Sequence, residues 1–286
     1  MVSERVILLG QNLYETIPNE IVISSIPTAS ELEYVGAEDF DRTILEKILP
    51  EVVENSQDMN FNELLDIDYD WVCRCLRMQS YGPYFSINRI YCPSCNQISE
   101  GEYTADLRTV DIIPLPPDFV NKITIDPDEF IDFDESITLH LLTAGEELTM
   151  QSDHAFDRPD GSRDMVLARL CYMITNIGGR VNPATNQLEV FTPLDIRAKI
   201  KKSFSPADYE LLKDKIREVT NYGLRTTGAI TCPKCGSKEA YFIAFQSDKF
   251  FRPSVGDIKE WKRAKRSGDW DGLCGDPKEY IRVDSE

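Results

Sequence analysis

Two short segments carry the residues best suited to chemistry: Cys92-Pro93-Ser94-Cys95 and Cys232-Pro233-Lys234-Cys235. Two thiolates spaced by two residues reach one ion from a tight turn, and the proline between them presets φ and removes an amide donor. The two pairs together supply four sulfurs, the set that zinc takes as a tetrahedron at about 2.3 Å. The spacing predicts one structural zinc per chain, held by Cys92, Cys95, Cys232 and Cys235, tying together segments 136 residues apart. Four protein ligands leave no open position for water or substrate, so the ion is expected to build and not to catalyse. Loose thiol turns or a redox Cys-x-x-Cys are the alternatives; redox motifs usually come singly within a thioredoxin-like pattern, a context neither pair has.

The elements that must position these sulfurs repeat. The second knuckle follows the first at an offset of 140, and the same offset pairs Asp68-Tyr69 with Asp208-Tyr209, Arg77 with Arg217 and Ile90 with Ile230. Tyr81-Gly82 meets Tyr222-Gly223 after a slip of one residue. We read a divergent duplication in which each copy runs helix, strand, knuckle, strand. In the second copy Ser205-Pro206-Ala207-Asp208 is a helix start, Leu212, Ile216 and Val219 an apolar stripe, and Gly223 a stop. In the first, Leu65, Tyr69, Val72 and Leu76 form the stripe and Gly82-Pro83 the stop. The strands after the knuckles are expected at Glu102 to Leu107 and Ala240 to Phe245. Cys73 and Cys75, two apart on a helix, point in different directions and are read with Cys171 as buried thiols; Cys274 has no assignment.

A catalytic constellation is not legible. The two histidines are His140, in the alternating run Ile137 to Leu142 and so an ordinary strand residue, and His154, in a polar loop. Gly178-Gly179 is a turn signal and no phosphate-cradling loop. The run Asp126 to Glu135 holds six acids without calcium-loop spacing and reads as a solvated acidic surface or a face for a basic partner. Asp157-Arg158-Pro159-Asp160-Gly161 is a turn. Lys259, Lys262, Arg263, Lys265 and Arg266 around Trp261 oppose the general acidity, as a charged helix face before a nucleic-acid patch.

Composition bounds the rest. With 286 residues, 31 Lys+Arg against 49 Asp+Glu, a net charge of −18 and 42% hydrophobic residues, the chain can bury a core without disulfides and has no general affinity for nucleic acid or anionic lipid. The apolar start is too short for a signal peptide and no segment reaches the length of a membrane span, so cytosolic folding with reduced thiols is expected.

Beyond the knuckles, Ile26-Pro27-Thr28-Ala29-Ser30-Glu31-Leu32-Glu33-Tyr34, Leu76-Arg77-Met78-Gln79-Ser80-Tyr81-Gly82, Tyr91-Cys92-Pro93-Ser94-Cys95, Leu139 to Glu147 and Lys249-Phe250-Phe251-Arg252-Pro253 resemble the baseplate hub and hub-assembly proteins of T-even-type contractile-tailed bacteriophages. The resemblance spreads over most of residues 20–254, poorly matched from about 150 to 200. It implies a non-enzymatic protein of the tail baseplate, in the virion or acting in the host cytoplasm during assembly, with hub, tube or wedge proteins as partners. A zinc-ribbon factor of transcription or replication, and an enzyme whose site is built from carboxylates and a partner chain, remain the rivals from other classes.

The fold expected is α+β, with internally duplicated helix–strand–knuckle–strand units joined by a four-cysteine zinc ribbon and additional β-rich segments. The segments run 1–60 (β-rich arm and helix), 61–110 (first helix and knuckle), 111–203 (central β segment at about 110–143, then helices near 163–176 and 193–203), 204–254 (second helix and knuckle) and 255–286 (basic helix and tail).

Overall fold

A computed structural model describes residues 3–34, 37, 39–225, 227–242 and 250–267. Cys274, the end of the second predicted strand (243–245) and Lys249 lie outside them. Helix accounts for 45% of the chain and strand for 19%, and the described strands pair into five two-stranded sheets and one of three strands, a mixed α+β architecture. The chain divides into two compact units: Met1–Phe61 with Ile67–Leu115 and Tyr222–Glu286, and Asn62–Asp66 with Pro116–Asn221.

The first unit is organised on the helix Asp66–Tyr81, buried on every side from Ile67 to Gln79 except at Asp70. The predicted stripe of Tyr69, Val72 and Leu76 is buried, and so are Cys73 and Cys75, both inaccessible to solvent. The opposite face is buried too, and Trp71, Arg74 and Arg77 each place at least one donor on a backbone carbonyl. Trp71 Nε1 donates to the Ile7 carbonyl at 2.9 Å, and Arg74 Nε to the Leu107 carbonyl at 2.9 Å. Arg77 donates to the carbonyls of Phe250 (2.8 Å), Gly82 (2.7 Å) and Tyr84 (2.9 Å), so one side chain ties the Gly82–Tyr84 segment to Phe250. Burial lowers its guanidinium to about 10, against the pull of Asp257.

The helix begins after Leu65, the first residue of the predicted stripe. Phe61–Glu63 is a 3-10 turn, and Leu65 forms an extended bridge to Thr143 before the helix can start. The predicted β-rich N-terminus pairs Ser3–Ile7 antiparallel with Glu20–Ser24, with Val6, Ile21 and Ile23 turned into the core.

The helix Val255–Ser267 carries the basic segment in this unit. Ser254 Oγ accepts from the Asp257 amide at 3.0 Å and Asp257 Oδ2 accepts from the Ser254 amide at 2.8 Å, a reciprocal cap. Asp257 and Ala264 are buried, while Lys259, Lys262, Arg263, Lys265 and Arg266 are exposed, with Arg263 on Glu260 and the Lys265 ammonium 4.0 Å from the Trp261 ring centroid. Trp261 packs where a side chain at Gly82 would stand.

The second unit holds the three-stranded antiparallel sheet Ile123–Ile125, Ile137–Leu139, Ile174–Ile177, covered by the helices Ala144–Ser152, Met165–Met173, Pro193–Ser203 and Pro206–Val219. Ser205 is the N-cap that its spacing predicts and Thr192 caps the preceding helix, each accepting from the amide three residues on. Leu212 and Ile216 enter the core with Ile137, Leu139, Met173 and Cys171.

Three expectations shift here. Gly223 does not stop the second helix: Val219 is its last residue, and the Thr220 amide and hydroxyl both turn back onto the Ile216 carbonyl. The segment 110–143 is mostly loop, because Pro114, Pro116, Pro117 and Pro127 confine its strands to Ile112–Ile113, Ile123–Ile125 and Ile137–Leu139. His140 therefore lies just past its strand, its ring nitrogen 3.2 Å from the Tyr172 carbonyl and 3.5 Å from Glu146. The acidic run is pinned as well as solvated: Phe133 is buried and stacks on Phe204 at 4.1 Å, and Glu129 and Glu135 pair with Lys215 and Lys199.

Candidate metal centre

Each cysteine pair sits at the tip of a β-hairpin. Tyr84–Cys92 pairs with Gln97–Asp106, and Thr227–Thr231 with Lys238–Phe242, both antiparallel. The chain turns at each tip through a left-handed residue directly after the second cysteine, Asn96 at φ 53° and Gly236 at φ 75°. Asparagine and glycine are the residues that adopt this conformation most readily, so the turn chemistry is written beside the sulfurs. In the second knuckle the Gly236 amide donates to the Cys232 carbonyl (2.9 Å) and the Cys232 amide to the Ser237 carbonyl (2.7 Å), closing the loop around the thiols. In the first, Tyr91 Oη donates to Asn96 Oδ1 at 2.9 Å.

The two tips meet. Cys92 Sγ lies 3.6 Å from Cys235 Sγ and Cys95 Sγ 3.9 Å from Cys232 Sγ. All four sulfurs fall within 4.8 Å of one another and can hold a metal ion. The short separations are too long for the roughly 2.05 Å of a disulfide and close to the roughly 3.8 Å edge of a tetrahedron of sulfurs at 2.3 Å from a centre. Cys92 and Cys232 are buried at 1% exposure each, Cys95 is half-buried and Cys235 exposed, so the cluster has one wall toward solvent.

Two groups outside the thiols complete the site. Ser237 Oγ stands 3.2 Å from Cys92 Sγ and 3.0 Å from Cys235 Sγ. Its hydroxyl and amide lower the Cys235 thiol to about 6, whereas desolvation and three neighbouring sulfurs push Cys95 up to about 12. Lys234 Nζ reaches across to Gln97 Oε1 at 3.2 Å and the Ile98 carbonyl at 3.4 Å, linking the second knuckle to the first hairpin. Sequence spacing brings out the four sulfurs but not Ser237, whose only signal is a hydroxyl two residues past a ligand.

The positions that the 140-residue offset pairs, and the two glycines one residue off it, share more than the knuckles. Asp68 and Asp208 are each the third residue of their helix and each inaccessible to solvent. Asp68 accepts from the consecutive amides of Leu9 (2.5 Å) and Gly10 (2.8 Å), and from the Tyr14 hydroxyl. Asp208 accepts from the consecutive amides of Ile131 (2.7 Å) and Asp132 (3.3 Å). Gly82 and Gly223 adopt φ +87° and +86°, each with a side chain, Trp261 or Ile67, occupying the place of a Cβ. Arg77 and Arg217 do not match: the first is buried, the second lies at the surface beside Asp214.

Cys73, Cys75 and Cys171 are buried, as predicted, and are not among the four clustered cysteines. His154 is exposed on a 3-10 turn, 2.8 Å from Asp157, which also takes Arg163. No described helix is long and apolar enough to cross a membrane. No family model, curated protein or solved structure matches this chain.

Proposed function

We propose that the chain is a non-enzymatic scaffold, tied by one structural zinc on Cys92, Cys95, Cys232 and Cys235, that serves in the central hub region of a contractile phage tail baseplate, as virion component or as assembly factor in the host cytoplasm. The observation that carries the zinc is the meeting of four sulfurs within 4.8 Å at the tips of two hairpins far apart in sequence. Four thiolates in that volume are a closed donor set for zinc, and such an ion contributes about 10–16 kcal/mol of apparent folding free energy in zinc-finger peptides. The two copies are read as a duplication fused through this ion. The matched carboxylates of Asp68 and Asp208, each holding two consecutive remote amides, and the matched conformations of Gly82 and Gly223 support common descent.

The baseplate assignment rests on the resemblance carried by residues 26–34, 76–82, 91–95, 139–147 and 249–253. A tail scaffold needs surfaces for neighbouring subunits, and the exposed cations of Val255–Ser267 and the pinned acidic run 126–135 offer two of opposite sign. The same cations around Trp261 favour a second reading, a zinc-ribbon factor bound to nucleic acid. Affinity capture of the tagged chain from nuclease-treated native cells, with mass spectrometry of what is retained, separates the two. Tail-tube, hub or wedge proteins are the expected result. Polymerase or replication subunits that vanish after nuclease treatment would replace the baseplate with the second reading.

A further inference from the structure

Gly178-Gly179, a turn that the metal site leaves unused, carries the chain from the strand Ile174–Ile177 to Arg180 with φ +78° and +59°. Ile177 and Arg180, the residues flanking this turn, line a cavity of about 250 Å³ in the second unit together with Phe191 and the helix Pro193–Ser203. Its floor is apolar, made by Ile177 and Ile196, each 1% exposed, and the ring of Phe191. Its rim is cationic: Arg180, Lys199 and Lys202 face a single carboxylate, Asp195.

Two of these four charges are already committed. Lys199 pairs with Glu135. Asp195 turns back on its own helix start, accepting from the Thr192 amide (3.1 Å) and hydroxyl (2.5 Å). Arg180 and Lys202 have no carboxylate partner among the described residues. The Arg180 guanidinium lies over the Phe191 ring, 5.9 Å from its centroid and within cation–π reach, and its planar N–H fork is suited to grip an acceptor. In a chain with 49 acids to 31 bases, a cavity lined by three cations and one carboxylate is a departure from the general surface.

The arms of the cavity are held in place before any ligand arrives. Asn176, 1% exposed, donates through Nδ2 to the carbonyls of Arg180 (3.0 Å) and Glu189 (2.6 Å), and the Phe191 amide donates to the Thr175 carbonyl at 2.9 Å. Such fixing lowers the ordering cost of binding. The volume exceeds the roughly 150 Å³ of a cavity that takes benzene and falls below the roughly 300 Å³ at which sites for drug-sized ligands begin.

We propose that this cavity binds a small aromatic monoanion, its ring on Ile177, Phe191 and Ile196 and its carboxylate between Arg180 and Lys202. The inference is independent of the zinc and baseplate readings. A free aromatic acid and the C-terminal aromatic residue of a partner chain present the same chemistry. The test is amide NMR of the full chain titrated with phenylacetate, with its neutral isostere phenylacetamide, and with a hexapeptide ending in a free-carboxylate Phe.

Saturable shifts at Gly178, Gly179, Arg180 and Phe191 are expected, with phenylacetamide at least about tenfold weaker, since the charge-assisted contacts are lost. Arg180→Ala with Lys202→Ala, both at exposed positions, should weaken phenylacetate by at least about tenfold and leave the remaining spectrum in place. The tighter of phenylacetate and the peptide identifies the source. Equal binding of acid and amide, shifts elsewhere in the chain, or undiminished binding by the double variant would overturn the proposal.

Discussion

At the scale of single residues, the groups that matter most beyond the thiols are small polar ones whose work is to hold something else. Ser237 sits within 3.2 Å of two of the four sulfurs, and partners of this kind tune ligand basicity and orientation. Ser237→Ala is expected to weaken metal affinity by about 10–100-fold while the fold persists, read by competition with a chromophoric chelator. An unchanged affinity would make the hydroxyl a bystander. Asp208 gives a pH signature instead. Burial pushes its carboxyl up, but the amides of Ile131 and Asp132 and the Ser205 hydroxyl and amide outweigh this and hold it below the ordinary carboxylate range. A folded value below the unfolded one contributes stability that is full above the unfolded value of about 3.9 and is lost as pH falls through the folded value. Asp208→Asn should therefore unfold at lower denaturant than the parent at pH 7, and the gap should close at acid pH. A gap equal at pH 7 and pH 3 would mean that shape, not charge, holds the loop. The sequence marks Ser205 and Asp208 as a helix start, and both cap; that the same carboxylate reaches a loop 77 residues upstream is a tertiary fact no local pattern carries.

At the scale of elements, the helix that local periodicity describes least well is the most important one. Leu65, Tyr69, Val72 and Leu76 mark one stripe, yet Asp66–Tyr81 is buried nearly all round because Trp71, Arg74 and Arg77 find carbonyls on three other segments. A periodicity argument counts Arg as solvent-facing, and only the acceptors make its burial tolerable. The end of this helix is legible, since the Gly82 amide closes onto the Met78 carbonyl and its φ of +87° excludes most side chains. What is not legible is the second demand on Gly82: an added Cβ would stand 2.5 Å from Trp261 Cγ. Gly161 isolates the two effects, having φ +82° and open space where its Cβ would point. Gly161→Ala is expected to cost about 1 kcal/mol, from backbone strain alone. Gly82→Ala should cost about 3 kcal/mol, strain plus overpacking against the basic helix. Chemical denaturation of both variants checks this, and equal losses would show that Trp261 yields at no cost.

At the scale of the whole molecule, the metal site bears on one unit and not the other. Both knuckle hairpins belong to the unit built on Asp66–Tyr81, and the antiparallel pairing of Ile112–Ile113 with Gly223–Leu224 returns the chain to it after the long excursion through Pro116–Asn221. The four sulfurs are legible in sequence because ligand spacing is a local property; the partition is not, because it depends on which segments pack together. The hairpin of two five-residue strands, Thr227–Thr231 with Lys238–Phe242, is a marginal structure by itself, since two isolated strands rarely hold in water. Its tip is joined to the first hairpin by the cysteines, by Ser237 Oγ 3.2 Å from Cys92 Sγ, and by Lys234 on Gln97 Oε1 and the Ile98 carbonyl. The second unit draws its stability from another source, the apolar cluster of Ile137, Leu139, Met173, Ile174, Ile196 and Leu212 beneath four capped helices. Removing the metal with a strong chelator should therefore raise amide hydrogen exchange across 84–106 and 227–242 by orders of magnitude while leaving 137–139 and 174–177 protected. Cys232→Ser should reproduce the pattern without chelator, and added zinc should reverse only the first. If chelation instead releases both units together, the ion's free energy is shared through the whole chain and the cluster acts as the keystone of a single cooperative fold.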